Sequence, residues 1–203
     1  KRQPGSAFKP FVYGAALDSG RYTPATIVDD APVVIGDWKP KNFDGEYRGP
    51  IRLRQALAHS VNTVAARLIE DIGVDPVQKL ARALGITTEI GADLSIALGT
   101  SEVRPLDLAR AYCAIANGGL RVEPHYIRRI GTEPVERPEP RRVMRAEVAH
   151  VLASMMQSVV REGTARRALR LRRPVAGKTG TTNEQKDAWF AGFTPQLVAV
   201  VWV

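Results

Sequence analysis

Three short patterns carry side chains able to do acyl-transfer chemistry. The first is Ser6-Ala7-Phe8-Lys9. On a helix, positions i and i+3 share a face, with Cβ atoms roughly 5–6 Å apart. In a first turn Ser6 meets free backbone N–H groups and the helix dipole, which favour developing negative charge. A serine hydroxyl is a weak nucleophile until a base takes its proton. A lysine one turn away can act as that base when burial and other cations lower its pKa. Taken alone, the same residues also read as a helix-capping serine followed by a solvated lysine. The second pattern is Ser60-Val61-Asn62, at the junction of two helical segments. A hydroxyl there can relay a proton, and an amide can both donate and accept toward a substrate amide. Capping is again the plainer reading. The third is Lys178-Thr179-Gly180-Thr181. On a strand, Lys178 and Gly180 point to one face, Thr179 and Thr181 to the other. Glycine in a strand marks a bulge or the close approach of another backbone, such as a substrate peptide lying along the strand. The hydroxyls and Lys178 suit a terminal carboxylate.

By composition, Ser-x-x-Lys, Ser-x-Asn and Lys-Thr-Gly are expected roughly 0.24, 0.14 and 0.03 times in this chain, so all three arise by chance on the order of once in a thousand. The elements that must position them follow from periodicity. Apolar spacing predicts helices over 6–18, 51–59, 62–70, 76–84, 105–117 and 147–160, several stopped by glycines such as Gly20, Gly85 and Gly163. Residues 21–50 read as a long irregular excursion with a short strand at Val33-Val34-Ile35, and loops of that length are usually functional. His125 to Ile130 reads as a strand and Glu133 to Pro140 as a loop. Three closing strands, over 174–182, 188–193 and 197–203, have short connections and form an antiparallel meander. Helices first and sheet last give an α+β chain, an antiparallel sheet covered by helices. The three patterns then fall on a helix start, a helix junction and a strand.

The chain has 203 residues, 44% of them hydrophobic, which suits a globular domain and excludes bulk disorder. The longest apolar run, Leu197 to Val203, is far short of the roughly 20 residues of a spanning helix. Cys113 is the single cysteine, so no intrachain disulfide or cysteine zinc site is expected; apolar neighbours mark it as a small buried hydrophobe. His59, His125 and His150 share no local metal-ligand spacing. The net charge of +8 favours an anionic setting: nucleic acid, an acidic membrane surface or an acidic polymer. Arg166, Arg167, Arg170, Arg172 and Arg173 concentrate it in one stretch. No nucleic-acid motif or stacking aromatic accompanies them, so a solvated loop is expected there and nucleic acid is not an expected partner. A chain that opens on Lys1-Arg2 and stops within an apolar run reads as a piece of a longer protein.

In this order, the three patterns resemble the motifs of penicillin-binding proteins and serine β-lactamases. The flanks narrow the resemblance to the transpeptidase domain of bifunctional (class A) penicillin-binding proteins. They are Arg2-Gln3-Pro4-Gly5-Ser6-Ala7-Phe8-Lys9-Pro10, the run from Lys178 through Thr182-Asn183, and Asp187-Ala188-Trp189-Phe190-Ala191-Gly192-Phe193-Thr194-Pro195. Ala97-Leu98-Gly99-Thr100-Ser101-Glu102-Val103, with Pro105-Leu106 and Ala114 to Gly119, is a further matching stretch. The similarity covers nearly the whole chain and is weakest across 131–173.

The resemblance implies a transpeptidase domain fragment over 1–203, with a penicillin-binding-protein/serine β-lactamase-like fold incomplete at both ends. It implies D,D-transpeptidation: Ser6 attacks a D-Ala-D-Ala peptidoglycan stem, D-Ala leaves, and a neighbouring stem amine resolves the acyl-enzyme into a crosslink. Lys9 would take the Ser6 proton and Ser60 would pass one to the leaving amine. Asn62 would hold the stem amide and Lys178 would tune the field near Ser60. Thr179 and Thr181 would bind the carboxylate, with Gly180 between them in the substrate-binding strand. The backbone N–H groups of Ser6 and Thr181 would form the oxyanion hole. β-Lactams would acylate Ser6, and no cofactor or metal would be needed. The parent would be a cell-envelope protein, periplasmic or at the outer face of the cytoplasmic membrane, anchored there by a segment absent from this piece and carrying a glycosyltransferase domain also absent from it. Strands before Ser6 and a helix after the last strand are expected outside the sequence, leaving a sheet edge and apolar surface that need covering for stability. Tyr112, Tyr126 and Trp189 either line the cleft or pack, packing being the expectation for Tyr112. Two other readings share the acyl-enzyme: a β-lactam sensor and a serine β-lactamase, although no Glu-x-x-x-Asn segment lies between Asn62 and Lys178. A basic module for anionic polymers is the reading from another class.

Overall fold

The computed structural model of the chain describes residues 1–182 and 187–203. Asn183, quoted above in the Lys178 run, lies outside the described residues. A 3-10 turn, Gly5–Phe8, runs directly into α1 (Lys9–Asp18). Every α1 residue from Lys9 to Leu17 is buried, so α1 is a central helix, apolar almost all round. Pro10 sits in the first turn, where its missing N–H costs nothing. Phe8 and Phe11 meet edge-to-face with ring centroids 4.9 Å apart, and Phe11 meets Tyr112 in the same way at 6.2 Å. Such pairs add about 0.5–1.5 kcal/mol each beyond the area they bury.

After α1 come β1 (Ile27–Asp30), β2 (Gly49–Arg52), α2 (Leu53–Ala58), α3 (Asn62–Ile72), α4 (Val74–Leu84) and α5 (Pro105–Ala116). Four two-residue strands follow: β3 (Leu120–Arg121), β4 (Arg129–Ile130), β5 (Glu133–Pro134) and β6 (Arg141–Arg142). The long helix α6 (Ala146–Arg161), a 3-10 helix at Arg166–Leu171, and strands β7 (Ala176–Thr181), β8 (Ala188–Phe193) and β9 (Val198–Trp202) complete the chain. The last three form an antiparallel sheet in the order β7-β8-β9, with Gly180 opposite Trp189 and Trp189 opposite Trp202. Helix α6 packs on β7, α5 packs on β8 and β9, and α1 lies against α3, α4 and α6. This is the expected α+β arrangement, helices covering an antiparallel meander. Among the described residues no helix is long and apolar enough to cross a membrane.

Several local expectations shift. The strand expected at Val33–Ile35 lies instead at Ile27–Asp30, where it pairs with Gly49–Arg52; Ile35 makes only an isolated bridge to Trp38. Ile51 and Arg52 belong to that ladder, so the helix expected from 51 begins at Leu53. Of 125–130, only Arg129–Ile130 is strand, in a small hairpin with Glu133–Pro134 that falls within the expected loop. Tyr126 and Ile130 there are 84% and 70% exposed, so no burial sustains a longer strand. Cys113 is half-buried rather than buried: α5 turns Ala111, Tyr112 and Ala114 inward and leaves position 113 at the boundary. The arginine-rich stretch is a 3-10 helix rather than a loop, and none of its residues is buried. Tyr112 packs, wholly buried, with its hydroxyl donating to the Ala7 carbonyl at 2.8 Å. Trp189 also packs, its Nε1 donating to the Gln3 carbonyl at 2.9 Å.

Candidate active site

The three patterns meet at one cleft. Its volume is about 410 Å³, and Ser6, Ser60, Asn62, Thr179 and Thr181 all line it. Ser6 occupies the second position of the 3-10 turn and is partly exposed. The turn is pinned on several sides. Arg2 and Val103 exchange backbone hydrogen bonds at 3.0 and 2.8 Å, and Gly5 N–H donates to the Gly99 carbonyl at 3.3 Å. Tyr112 and Trp189 hold the carbonyls of Ala7 and Gln3. Strand β7 presses on the same turn. A Cβ on Gly180 would collide with the Pro4 carbonyl, and one on Gly5 would lie 2.5 Å from the Thr181 carbonyl. The close approach expected of Gly180 is therefore made by the Pro4–Ala7 segment of its own chain. It brings the Thr181 backbone beside Ser6.

Lys9 is the first residue of α1 and Lys178 the third of β7; both side chains are wholly buried. Lys9 Nζ donates to the Ser60 carbonyl at 2.5 Å and to Asn62 Oδ1 at 2.6 Å, and lies 3.3 Å from Ser60 Oγ. Lys178 Nζ donates to Ser60 Oγ at 2.9 Å and to the Thr179 carbonyl at 3.0 Å. Ser60 thus stands between two amines. Its backbone is left-handed, φ +59°, which a non-glycine residue adopts at a cost and which recurs at functional sites. That turn ends α2 and starts α3, and it aims the Ser60 carbonyl and hydroxyl at Lys9.

No carboxylate pairs with either amine among the described residues. Burial, and then the nearby Lys178 charge, hold Lys9 well below the usual lysine range. Burial alone brings Lys178 down to about 7. Two amines sharing one hydroxyl in a dry site shed a proton more readily than either would in water. A neutral lysine beside a serine that lines a cleft is an arrangement able to activate a hydroxyl.

Thr179 is half-buried, and its hydroxyl meets that of Thr164 at 2.6 Å; Thr181 is exposed on the cleft wall. Thr164, Asn42, Phe43, Asp44, Arg48 and His59 also line the cleft and carried no signal in the sequence. The 21–50 excursion marked a segment there but no residue within it. Of the aromatics considered for the cleft, Tyr112, Tyr126 and Trp189 do not line it. Among the described residues no three His, Cys, Asp or Glu side chains gather into a metal-binding group.

The model of the penicillin binding protein transpeptidase domain matches residues 1–203. Penicillin-binding protein 1A of Neisseria meningitidis is 45% identical over all of this chain, which spans 28% of that protein. Penicillin-binding protein 1A of Pseudomonas aeruginosa is 36% identical, again over all of this chain and 32% of its own length. Among solved structures, penicillin-binding protein 1A from Haemophilus influenzae superposes with a TM-score of 0.91 at 30% identity, over 98% of this chain and 37% of that one. The PonA1 protein from Mycobacterium tuberculosis, in complex with penicillin V, gives 0.86 at 27% identity, over 98% of this chain and 59% of that one. The chain belongs to the penicillin-binding protein transpeptidase family. It has that family's fold, and it spans about a third or less of the curated relatives named here.

Proposed function

We propose that this chain catalyses D,D-transpeptidation in peptidoglycan synthesis through an acyl-enzyme on Ser6. Neutral Lys9 takes the Ser6 proton as Oγ attacks the carbonyl between the two D-Ala residues of a stem peptide. As the C–N bond breaks, Ser60 relays the proton held by Lys9 to the departing D-Ala amine, which leaves Lys9 neutral again, and Lys178 supplies the field and hydrogen bond that hold Ser60 in place. The amine of a second stem then attacks the ester and gives up a proton to neutral Lys9; the ester C–O bond breaks, that proton returns to Ser6 Oγ, and a new amide bond is left. The backbone N–H groups of Ser6 and Thr181 hold the oxyanion, a contribution commonly worth several kcal/mol. Asn62 holds the stem amide, and Thr179 and Thr181 hold the terminal carboxylate. Gly180 lets the strand lie against the nucleophile turn. β-Lactams acylate Ser6 in place of the stem. The longer protein works at the outer face of the cytoplasmic membrane, with an anchor and a glycosyltransferase domain elsewhere in its sequence.

The observation that carries this reading is the convergence of Lys9 and Lys178 on Ser60, within 3.3 and 2.9 Å of its hydroxyl, in the cleft that Ser6 lines. The test is a reaction of the full natural chain with a peptide ending in D-Ala-D-Ala and an amine acceptor, followed by mass spectrometry. One D-Ala released per peptide joined to the amine is expected, with neither product from Ser6→Ala. Release of D-Ala without joining would favour hydrolysis, and turnover by the alanine variant would overturn the role of Ser6.

A further inference from the structure

Asn62 is held from outside its own motif. Its amide nitrogen donates to the Lys41 carbonyl at 2.8 Å, which turns its oxygen toward Lys9 Nζ at 2.6 Å. Its backbone N–H donates to Asn42 Oδ1 at 2.8 Å, and the Thr63 N–H reaches the same oxygen at 3.3 Å. Val61, the residue before α3, offers no side-chain cap. Asn42 therefore caps α3 from about twenty residues upstream, satisfying two of its free N–H groups. The orientation of Asn42 is fixed in turn. Its nitrogen donates to Asp30 Oδ1 at 2.7 Å and to the Glu46 carbonyl at 2.8 Å. Asp30 is wholly buried and also accepts from the Thr63 hydroxyl at 2.6 Å and the Arg48 N–H at 3.0 Å. Nitrogen toward two acceptors and oxygen toward two donors is the single satisfied setting of that amide.

The consequence falls on Lys9. A neutral amine has two N–H groups and one lone pair. The Ser60 carbonyl and Asn62 Oδ1 can only accept, so they occupy both N–H groups; the third neighbour, the Ser60 hydroxyl at 3.3 Å, can donate to the lone pair or release it for a proton. A reversed Asn62 amide would present its NH2 group instead, and the lone pair would be spent accepting from it. Resting on the reading of Lys9 as the base, we propose that Asn42, anchored on buried Asp30, is a positioning residue. It holds Lys41 and the start of α3 so that the Asn62 oxygen faces Lys9, and thereby keeps the Lys9 lone pair available to the Ser6 proton. The anchor is the 39–48 loop, whose Phe43 and Asp44 form the cleft wall.

The experiment compares the full natural chain with Asn42→Ala and Asp30→Asn. Acylation by a fluorescent penicillin is followed at saturating and subsaturating concentrations across pH, separating the acylation rate constant from apparent affinity. The rate constant should fall roughly ten- to hundredfold in Asn42→Ala, as for a misplacement of about 1 Å at a reacting group. Asp30→Asn, the isosteric change, should fall in the same direction by less. Apparent affinity should change by less than the rate constant, since Thr179 and Thr181 still hold the ligand carboxylate. Loss of the Asn62 oxygen removes an acceptor that favours the Lys9 ammonium, so the acid limb of the rate profile should move to lower pH. Rates are read on the labelled fraction, so a folding defect registers as lost amplitude and leaves the rate and limb measurable. Rates within about twofold of wild type in both variants, with the limb unmoved, would overturn the role of Asn42. A wild-type chain that takes no adduct would overturn the acyl-enzyme reading itself, and this role with it.

Discussion

Lys9 and Lys178 are the residues on which the chemistry turns, because each is a buried amine that no carboxylate pairs with among the described residues. Removing one changes the other in a direction that physics fixes. The charge of Lys178 is one of the causes holding the Lys9 pKa down. In Lys178→Met that repulsion is gone, so the Lys9 pKa rises and the base stays protonated to higher pH. The acid limb of β-lactam acylation should therefore shift toward alkaline pH in Lys178→Met, opposite to the shift expected for Asn42→Ala. A pH series of single-turnover acylation rates checks this; an unmoved limb would mean that Lys178 does not feel Lys9. The proposed site residues were legible because their types and order are local patterns. Their protonation was not, since it depends on burial of both amines and on a hydroxyl more than fifty residues from Lys9 and more than a hundred from Lys178.

At the scale of elements, the cleft exists because β7 and the Ser6 turn touch backbone to backbone. Gly180 has no positive φ, so its requirement is purely one of space. In Gly180→Ala the new methyl meets the Pro4 carbonyl and lies 3.1 Å from Ala7 Cβ, so strand and turn must separate. Over-packing of this kind typically costs about 1–3 kcal/mol. Urea unfolding should show a lower midpoint with unchanged slope, together with slower acylation; a wild-type midpoint and rate would show that the turn yields freely. Sequence periodicity found the long helices and the final meander because each carries its own apolar repeat. It displaced the β1 strand for a nonlocal reason: Ile27–Asp30 is defined by its ladder with Gly49–Arg52, whose last two residues also read as the start of α2. The Asp30–Asn42–Asn62 chain of hydrogen bonds was invisible for the same reason. It joins a strand, a loop and a helix start, and no spacing rule links them.

For the whole molecule, helices and sheet divide the labour. The helical part supplies Ser6, Lys9, Ser60 and Asn62, and the sheet supplies Lys178, Thr179 and Thr181 across the cleft. Five arginines of this +8 chain lie on the exposed 3-10 helix at Arg166–Leu171 and just after it, and none of them lines the cleft. Acylation of Ser6 by a reactive amide held between the helical part and the sheet is the event on which the proposed reaction rests. Its most direct measurement is the intact mass of the full natural chain after incubation with a fluorescent penicillin, followed by peptide mapping of the adduct. One stable adduct on the peptide containing Ser6, absent from Ser6→Ala, is the expected result. An adduct on another residue, or equal labelling of the alanine variant, would mean that Ser6 is not the nucleophile.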